Sequence, residues 1–264
     1  KKKQAFYDIY LELLDANLLK TAFKQQLTNK KIDEDLSEKA VSPTIKKHLL
    51  ILSKTEPDKI SSVLEQLDYP KHIQSLVTTE EEFSSFSLDA AVDKFLLKKF
   101  YDIKVPYKCT EAKNVFIKRM IDIRTIKHIL RAKHLGYDAE HCKQLLIDEG
   151  FELADWKQED ICNAENITEI INKLEGTQYY QSLKKVQDTQ QKEPSVQSYT
   201  DALDRLWLHL LKNISTSFYT TIGPSLRFLA YKQTEIRNLK IIAKGIAEKI
   251  PSKLISSLLI TEET

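Results

Sequence analysis

Apolar residues recur at three- and four-residue steps along most of this chain, and that spacing points to helices packed on helices. From Phe6, the series Ile9, Tyr10, Leu13, Leu14, Leu18 and Leu19 falls on one helical face. The same period returns in Leu88–Tyr101, Val115–His134, Asn166–Leu174, Asp201–Ser217 and Phe228–Ala243. Only five glycines and seven prolines occur in 264 residues. Sheet turns and phosphate-binding loops draw heavily on glycine. The expected fold class is therefore all-α.

The breaks are few and readable. A polar stretch from Thr28 to Ser37 interrupts the first helical segment. Ser42-Pro43 has the chemistry of a helix start, a side-chain cap followed by a ring that suits the first turn. Glu56-Pro57-Asp58 closes that helix and opens the one carrying Ile60, Val63, Leu64 and Leu67; Tyr69-Pro70 and Val105-Pro106 break the pattern again. Gly136 reads as a left-handed cap. Asp138–Glu149 reads as a shorter helix stopped by Gly150, and Gly176 ends the next. The polar run Gln187–Gln197 reads as a linker or exposed loop. Gly223-Pro224 follows the Asp201–Ser217 helix, Gly245 reads as a cap of the Phe228–Ala243 helix, and Pro251 reads as the start of a last helix through Leu254, Ile255, Leu258 and Leu259.

Self-similarity adds a second constraint. Ala90–Phe100 (AAVDKFLLKKF) resembles Asp201–Leu211 (DALDRLWLHLL), pairing Asp93 with Asp204 and Lys94 with Arg205. Phe116–Lys133 resembles Leu229–Gly245. Here Asp122, Ile123, Arg124, Ile126 and Lys127 pair with Glu235, Ile236, Arg237, Leu239 and Lys240. The two offsets, about 111 and about 113 positions, nearly agree, as stacked copies of one supersecondary unit require. Each copy then has a short amphipathic helix. The first 85 residues are a candidate third, degenerate copy. The expected lobes are 1–85, 86–196 and 197–264.

The shared acidic-Ile-Arg element has two readings. Ile123, Ile126, Ile129 and Leu130 take the buried face, and Asp122, Arg124, Lys127 and Arg131 point elsewhere, as do Glu235, Arg237, Asn238 and Lys240 in the second copy. That polar face is either a solvated, salt-laced surface complementing the helix dipole or a hydrogen-bonding surface that meets a partner.

Several function classes lack support. Forty basic and 38 acidic residues give a net charge of +2, spread evenly, so nothing pulls the chain onto nucleic acid. Cys109, Cys142 and Cys162 are odd in number and form no CxxC, which fits a reducing compartment better than a disulfide framework. No apolar run approaches the roughly 18 residues a membrane span needs, so a membrane role is expected to be peripheral. Neither GxxxxGK[ST] nor GxGxxG occurs, and direct nucleotide binding is not expected. His128, His134, His141 and Cys142 cluster in sequence, but Gly136 breaks the helix between them, and no metal or other cofactor is expected. No base or oxyanion pocket for Cys-His catalysis is identifiable. Trp156 and Trp207 read as packing residues.

Three stretches carry a family resemblance. YKQTEIRNLKIIAKG (Tyr231–Gly245) resembles a signature of the C subunits of the archaeal and bacterial A/V-type rotary ATPases, a family related to the d subunits of the eukaryotic vacuolar enzymes. IDIRTIKHILRAKHLG (Ile121–Gly136) resembles its second signature, and the helix around AVDKFLLKKF (Ala91–Phe100) its lobe-opening helix. Gln233 stands where Glu is usual, Lys240 where Arg is usual, and Thr125 where Asn is usual. The resemblance covers roughly residues 56 to 264.

The resemblance implies a funnel of three similar helical lobes in pseudo-threefold arrangement. It implies a non-catalytic rotor component at the cytoplasmic face of the membrane. The wide mouth would receive the D and F subunits of the central stalk, and the base would sit on the membrane proteolipid ring. The job would be coupling for ATP synthesis or ATP-driven H⁺ or Na⁺ transport. The repeated acidic-Ile-Arg element makes Asp122, Arg124, Arg131, Glu235, Arg237 and Asn238 the partner-contact candidates. Arg124, Arg131, Arg237 and Asn238 are expected at or near the inner or ring-facing surface. The alternatives are a helical-repeat adaptor that holds a partner helix or peptide in a groove, and a helical enzyme with a buried cluster of perturbed ionisable groups.

Overall fold

A computed structural model describes residues 2–28, 30–78, 84–189 and 195–261. Among these, helices are joined by short turns and no strand occurs, so the fold class is all-α. The chain divides into two compact units, Lys1–Pro106 with Glu140–Asp148, and Tyr107–Ala139 with Glu149–Thr264.

The first unit contains α1 (Lys2–Leu14), α2 (Ala16–Leu27), α3 (Asp35–Lys39), α4 (Pro43–Ser53), α5 (Ile60–Gln66), α6 (Lys71–Thr78) and α7 (Ser84–Asp102). The helix pattern read through Leu19 is broken at Asp15 into α1 and α2. Ser42 caps α4 as expected, its Oγ accepting from the Ile45 N–H at 3.3 Å. Pro57–Lys59 is a single 3₁₀ turn ahead of α5. Helix α7 packs against α1, α2 and α6. Its Phe100 lies 5.0 Å from Phe6 and 6.1 Å from Tyr10, ring to ring. Tyr69 lies 5.5 Å from Phe23 and 5.4 Å from Phe95. Three ion pairs tie α7 to α1 and α2: Lys99–Glu12 at 2.6 Å, Lys20–Asp93 at 2.7 Å and Lys24–Asp89 at 2.6 Å. Glu12 and Asp93 are buried, where an unpaired carboxylate would be costly.

The second unit is built on α8 (Thr110–His134). The chain then forms α9 (Ala139–Gln144), most of which belongs to the first unit, followed by α10 (Asp155–Cys162), α11 (Ile167–Lys173), α12 (Gln178–Thr189), α13 (Val196–Ser217), α14 (Gly223–Ala247) and α15 (Ser252–Ser257). Helix α13 packs against α8, α12 and α14, and its Trp207 ring lies 5.2 Å from Phe116 on α8. Gly136 and Gly176 take positive φ, ending α8 and following α11 as expected.

Several boundaries differ from the sequence reading. The Asp138–Glu149 helix is only α9, because the ladder closes there with tighter three-residue bonds from the Leu145 and Leu146 N–H groups to the Cys142 and Lys143 carbonyls. Helix α14 begins at Gly223-Pro224, ahead of the expected Phe228, proline being well suited to the first helical turn. Gly245 is not a cap: α14 runs on to Ala247. The left-handed residue is Lys249. A Cβ on Gly245 would come within 2.6 Å of Ile255 Cδ1, so the glycine there lets α15 approach closely. Helices α10 and α12 lacked a clear signal. Trp156, read as a packing residue, is 68% exposed at the start of α10. Lys1 and residues 190–194 of the expected linker lie outside the described residues; α12 extends to Thr189, and Ser195 caps α13 by accepting from the Ser198 N–H.

Candidate functional site

The polar residues of the long helices make three constructions. In the first, Asp122 sits midway along α8, fully buried. Its carboxylate accepts the backbone N–H groups of Phe151 (3.1 and 3.2 Å to its two oxygens), Glu152 (2.9 Å) and Leu153 (3.2 Å). It also accepts the Tyr179 hydroxyl at 2.7 Å. Gly150 makes the approach possible, because a Cβ there would stand 1.6 Å from Asp122 Oδ1. Burial pushes the Asp122 carboxyl up to about 6 against the pull of those hydrogen bonds, and burial beside this carboxylate pushes the Tyr179 phenol up. Arg119, one turn earlier, donates to Glu152 Oε1 at 2.8 Å and lies over the Phe151 ring at 4.2 Å. Glu152 Oε2 accepts the Gln178 N–H at 2.8 Å, at the start of α12.

The second construction joins three helices through one acid. Asp204 on α13 takes Lys127 of α8 at 2.6 Å and Arg237 of α14 at 2.6 Å. Arg237 also reaches Asp201 at 3.5 Å, and Gln197 donates to the same Asp201 oxygen at 2.8 Å. Burial pushes the Lys127 ammonium down; Asp204 opposes that, while Arg237 and Arg124 add to it.

The third ties the end of the described chain to α14. The Asn238 side chain donates to the Ile260 carbonyl at 2.8 Å and accepts the Ile260 N–H at 3.1 Å. This closes a two-bond clamp over the turn through α15.

These constructions share a plan. A polar side chain on a long helix grips backbone that returns after a short helix: Asp122 grips Phe151–Leu153 and Asn238 grips Ile260. The first unit has its own version. Asp15 is buried between α1 and α2 and accepts the Ser42 N–H at 2.6 Å. Lys20, five residues on, pairs with Asp93 of α7, as Lys127, five residues after Asp122, pairs with Asp204 of α13. Asp93 and Asp204 are the two acids that the internal repeat aligns.

The six candidate residues are thereby dispersed. Asp122 does not point away from the buried face, as expected; it is enclosed, because a loop folds back over its side of α8, and its oxygens are engaged within the chain. Arg124 is half-buried near Lys127, and Arg131 is exposed. Glu235, the repeat partner of Asp122, is exposed and pairs with Lys232 at 2.6 Å. Arg237 and Asn238 are half-buried in the second and third constructions. Gly150, Tyr179 and Asp201 were missed. The Gly-Phe-Glu-Leu run was their only signal, and nothing in the sequence ties it to Asp122, 28 or more positions away. Among the described residues no group of three or more His, Cys, Asp or Glu could hold a metal ion.

The fold and these constructions define a class: an all-helical repeat scaffold in which long helices hold their own return loops through buried polar clamps. The chain belongs to the ATP synthase (C/AC39) subunit family, whose profile matches residues 1–258. It is 31% identical over 200 residues to the A-type ATP synthase C subunit of Methanocaldococcus jannaschii, covering 75% of this chain and 50% of that protein. It is 29% identical over 266 residues to the protein of the same name from Pyrococcus horikoshii, covering 98% of this chain and 69% of the relative. With that of Methanobrevibacter smithii it shares 27% identity, over 78% of this chain and 55% of the relative. The chain thus spans about half to two thirds of the length of these relatives.

Proposed function

We propose that this chain serves as a non-catalytic rotor adaptor in an A-type ATP synthase, seating the D and F subunits of the central stalk on the membrane proteolipid ring. The observation that carries the reading is the family match over residues 1–258, together with relatives named as C subunits of A-type ATP synthases. In this role the chain binds no nucleotide and breaks no bond. It passes torque between shaft and ring, for ATP synthesis or for ATP-driven H⁺ or Na⁺ transport. The chain sits peripherally at the cytoplasmic face; no helix among its described residues is long and apolar enough to cross a membrane.

The clamps support the mechanical part of this reading. Helices packed at crystal-like density transmit strain with little compression, and a return loop fixed by several hydrogen bonds cannot slide along its helix. The recurrence of the clamp at Asp15, Asp122 and Asn238 supports the reading of three related lobes, 1–85, 86–196 and 197–264. Arg131 and Glu235, both exposed, are the candidates best placed to meet a partner directly; Arg124, Arg237 and Asn238 shape the helices behind them.

Co-purification tests the reading. The chain is expected to retain a D–F shaft complex and a detergent-solubilised proteolipid ring, and Arg131→Glu with Glu235→Lys should weaken retention of at least one without changing the melting temperature. Failure to retain either partner would remove the adaptor role.

A further inference from the structure

Two repeat-equivalent turns present the most exposed tyrosines of the chain. There are eleven tyrosines, and only Tyr107 (93%) and Tyr219 (73%) are more than half exposed. They stand 112 positions apart, between the two offsets of the internal repeat. Both belong to the second unit, and each precedes one of its long helices. Tyr107 opens a single 3₁₀ turn ahead of α8, and Tyr219 lies in the turn between α13 and α14. Folding tends to bury a tyrosine at least in part, and Tyr10, Tyr69, Tyr179 and Tyr199 are buried here. That the two exceptions share one repeat position ties their exposure to the repeated unit.

The Tyr107 tip is open with the later helices of its own copy, α8 through α12, in place. The two tips are also held alike. Lys127 of α8 and Arg237 of α14 meet the same acid, Asp204. From there each helix runs back toward its tyrosine by a similar length, about 26 Å from Lys127 to Thr110 and about 21 Å from Arg237 to Gly223. The surroundings are short of charge. Residues 213–226 contain no Asp, Glu, Lys, Arg or His, and among residues 107–112 one base, Lys108, stands against one acid, Glu111. An anionic lipid surface or a charged segment finds little there to attract it. A phenol supplies a rigid ring and one hydroxyl, which suits packing and hydrogen bonding against a neutral protein loop.

We infer that Tyr107 and Tyr219 are a matched pair of contact points on a homo-oligomeric partner, each seated on the same neutral loop of a different copy. Equivalent groups repeated in one chain call for equivalent surfaces opposite them. A closed ring of one protein supplies such surfaces, and a single-copy shaft does not. Under the rotary reading, on which this choice of partner rests, the tyrosines meet the proteolipid ring and not the D and F subunits.

Photo-crosslinking tests this with the full chain, a detergent-solubilised proteolipid ring and a D–F shaft complex. The photoreactive residue p-benzoylphenylalanine replaces Tyr107, Tyr219, both, or, as a control, Trp156, which is 68% exposed but outside the paired tips. Each tyrosine position is expected to capture the proteolipid, and mass spectrometry should map both adducts to the same short stretch of its sequence. The doubly substituted chain should capture two proteolipid copies, and the Trp156 position should not label that stretch. Tyr107→Ser with Tyr219→Ser should weaken retention of the ring at least about tenfold, as the loss of two aromatic anchors implies, and leave shaft retention within about twofold. Both side chains are exposed, so the melting temperature should hold. The inference is overturned by capture of D, of F or of a second copy of this chain, by adducts in two different regions of the proteolipid, by no capture, or by ring retention that the double substitution leaves unchanged. Ring and shaft retention without tyrosine-dependent capture would sink this inference and leave the rotary proposal standing. An unsubstituted chain that retains neither would sink both.

Discussion

Gly150→Ala perturbs one contact, and the structure supplies its magnitude. The new Cβ would lie 1.6 Å from Asp122 Oδ1 and 2.6 Å from its Cγ, where ordinary contact needs about 3.4 Å or more. Either the carboxylate or the loop must move by nearly 2 Å. The bonds at stake measure 2.7 to 3.2 Å, so such a shift carries most of them past any useful length. Hydrogen bonds to a charged group contribute about 1.5–3 kcal/mol each. Partial relaxation recovers some of this, and stripping partners from a buried charge costs about 3–5 kcal/mol net. In a protein of this size that lowers the melting temperature by roughly 6–20 °C. Gly136→Ala is the control. Gly136 has a positive φ, which Gly150 lacks, but nothing lies within 4 Å of its added Cβ, so it bears only the backbone penalty of about 1–2 kcal/mol. Thermal unfolding followed by circular dichroism measures both. The substitution is also expected to be strongly non-additive with Asp122→Ala, since both remove one construction. If Gly150→Ala melts no lower than Gly136→Ala, the Asp122 clamp does not hold the loop.

Other expectations follow from the same geometry. The folded Asp122 carboxyl titrates at about 6, above its ordinary value of 3.8, so its titration favours folding fully below about pH 4, and that contribution is lost as pH rises through about 6. The stability of the protein relative to Asp122→Ala should therefore fall by about 2 kcal/mol between pH 4 and pH 7; a urea titration that shows a rise would contradict this. Asn238→Ala removes both bonds to Ile260 and should cost about 1–2 kcal/mol, with faster hydrogen exchange concentrated at the Ile260 amide; unchanged exchange there would refute the clamp. Asp204→Ala leaves Lys127 and Arg237 without their shared acid and should cost about 2–4 kcal/mol. Arg237→Ala should cost under about 1 kcal/mol, its guanidinium being partly solvated; equal losses in denaturant titrations would mean that Asp204 does not organise the group.

The helices were legible where local chemistry set them. Ser42-Pro43 fixed a helix start through groups three residues apart, and Gly136 and Gly176 took the positive φ that few other residues adopt. The repeat was legible too, because pairs such as Asp93 with Asp204 keep their order and spacing. The environments of the paired residues were not. Asp122 and Glu235 occupy the same repeat position, yet one is enclosed and the other exposed. The difference comes from the 150–153 loop and Tyr179, which cover only the first. Helical periodicity describes one helix at a time and says nothing of a loop that returns from 30 positions away. For the same reason α8 read as amphipathic although it is buried on nearly every side. Trp156 was misread because an indole favours burial on average, while its place in a first turn faces it outward. Gly245 was misread because a glycine near a helix end usually ends it, whereas here Ile255 needs the room.

The central claim is mechanical coupling without chemistry, and ion transport driven by ATP in reconstituted vesicles tests it most directly. Complexes assembled without this chain should hydrolyse ATP but move no ions, adding the chain should restore transport in proportion to occupancy, and the isolated chain should show no turnover. Transport that proceeds undiminished without the chain, or hydrolysis by the chain alone, would contradict the account.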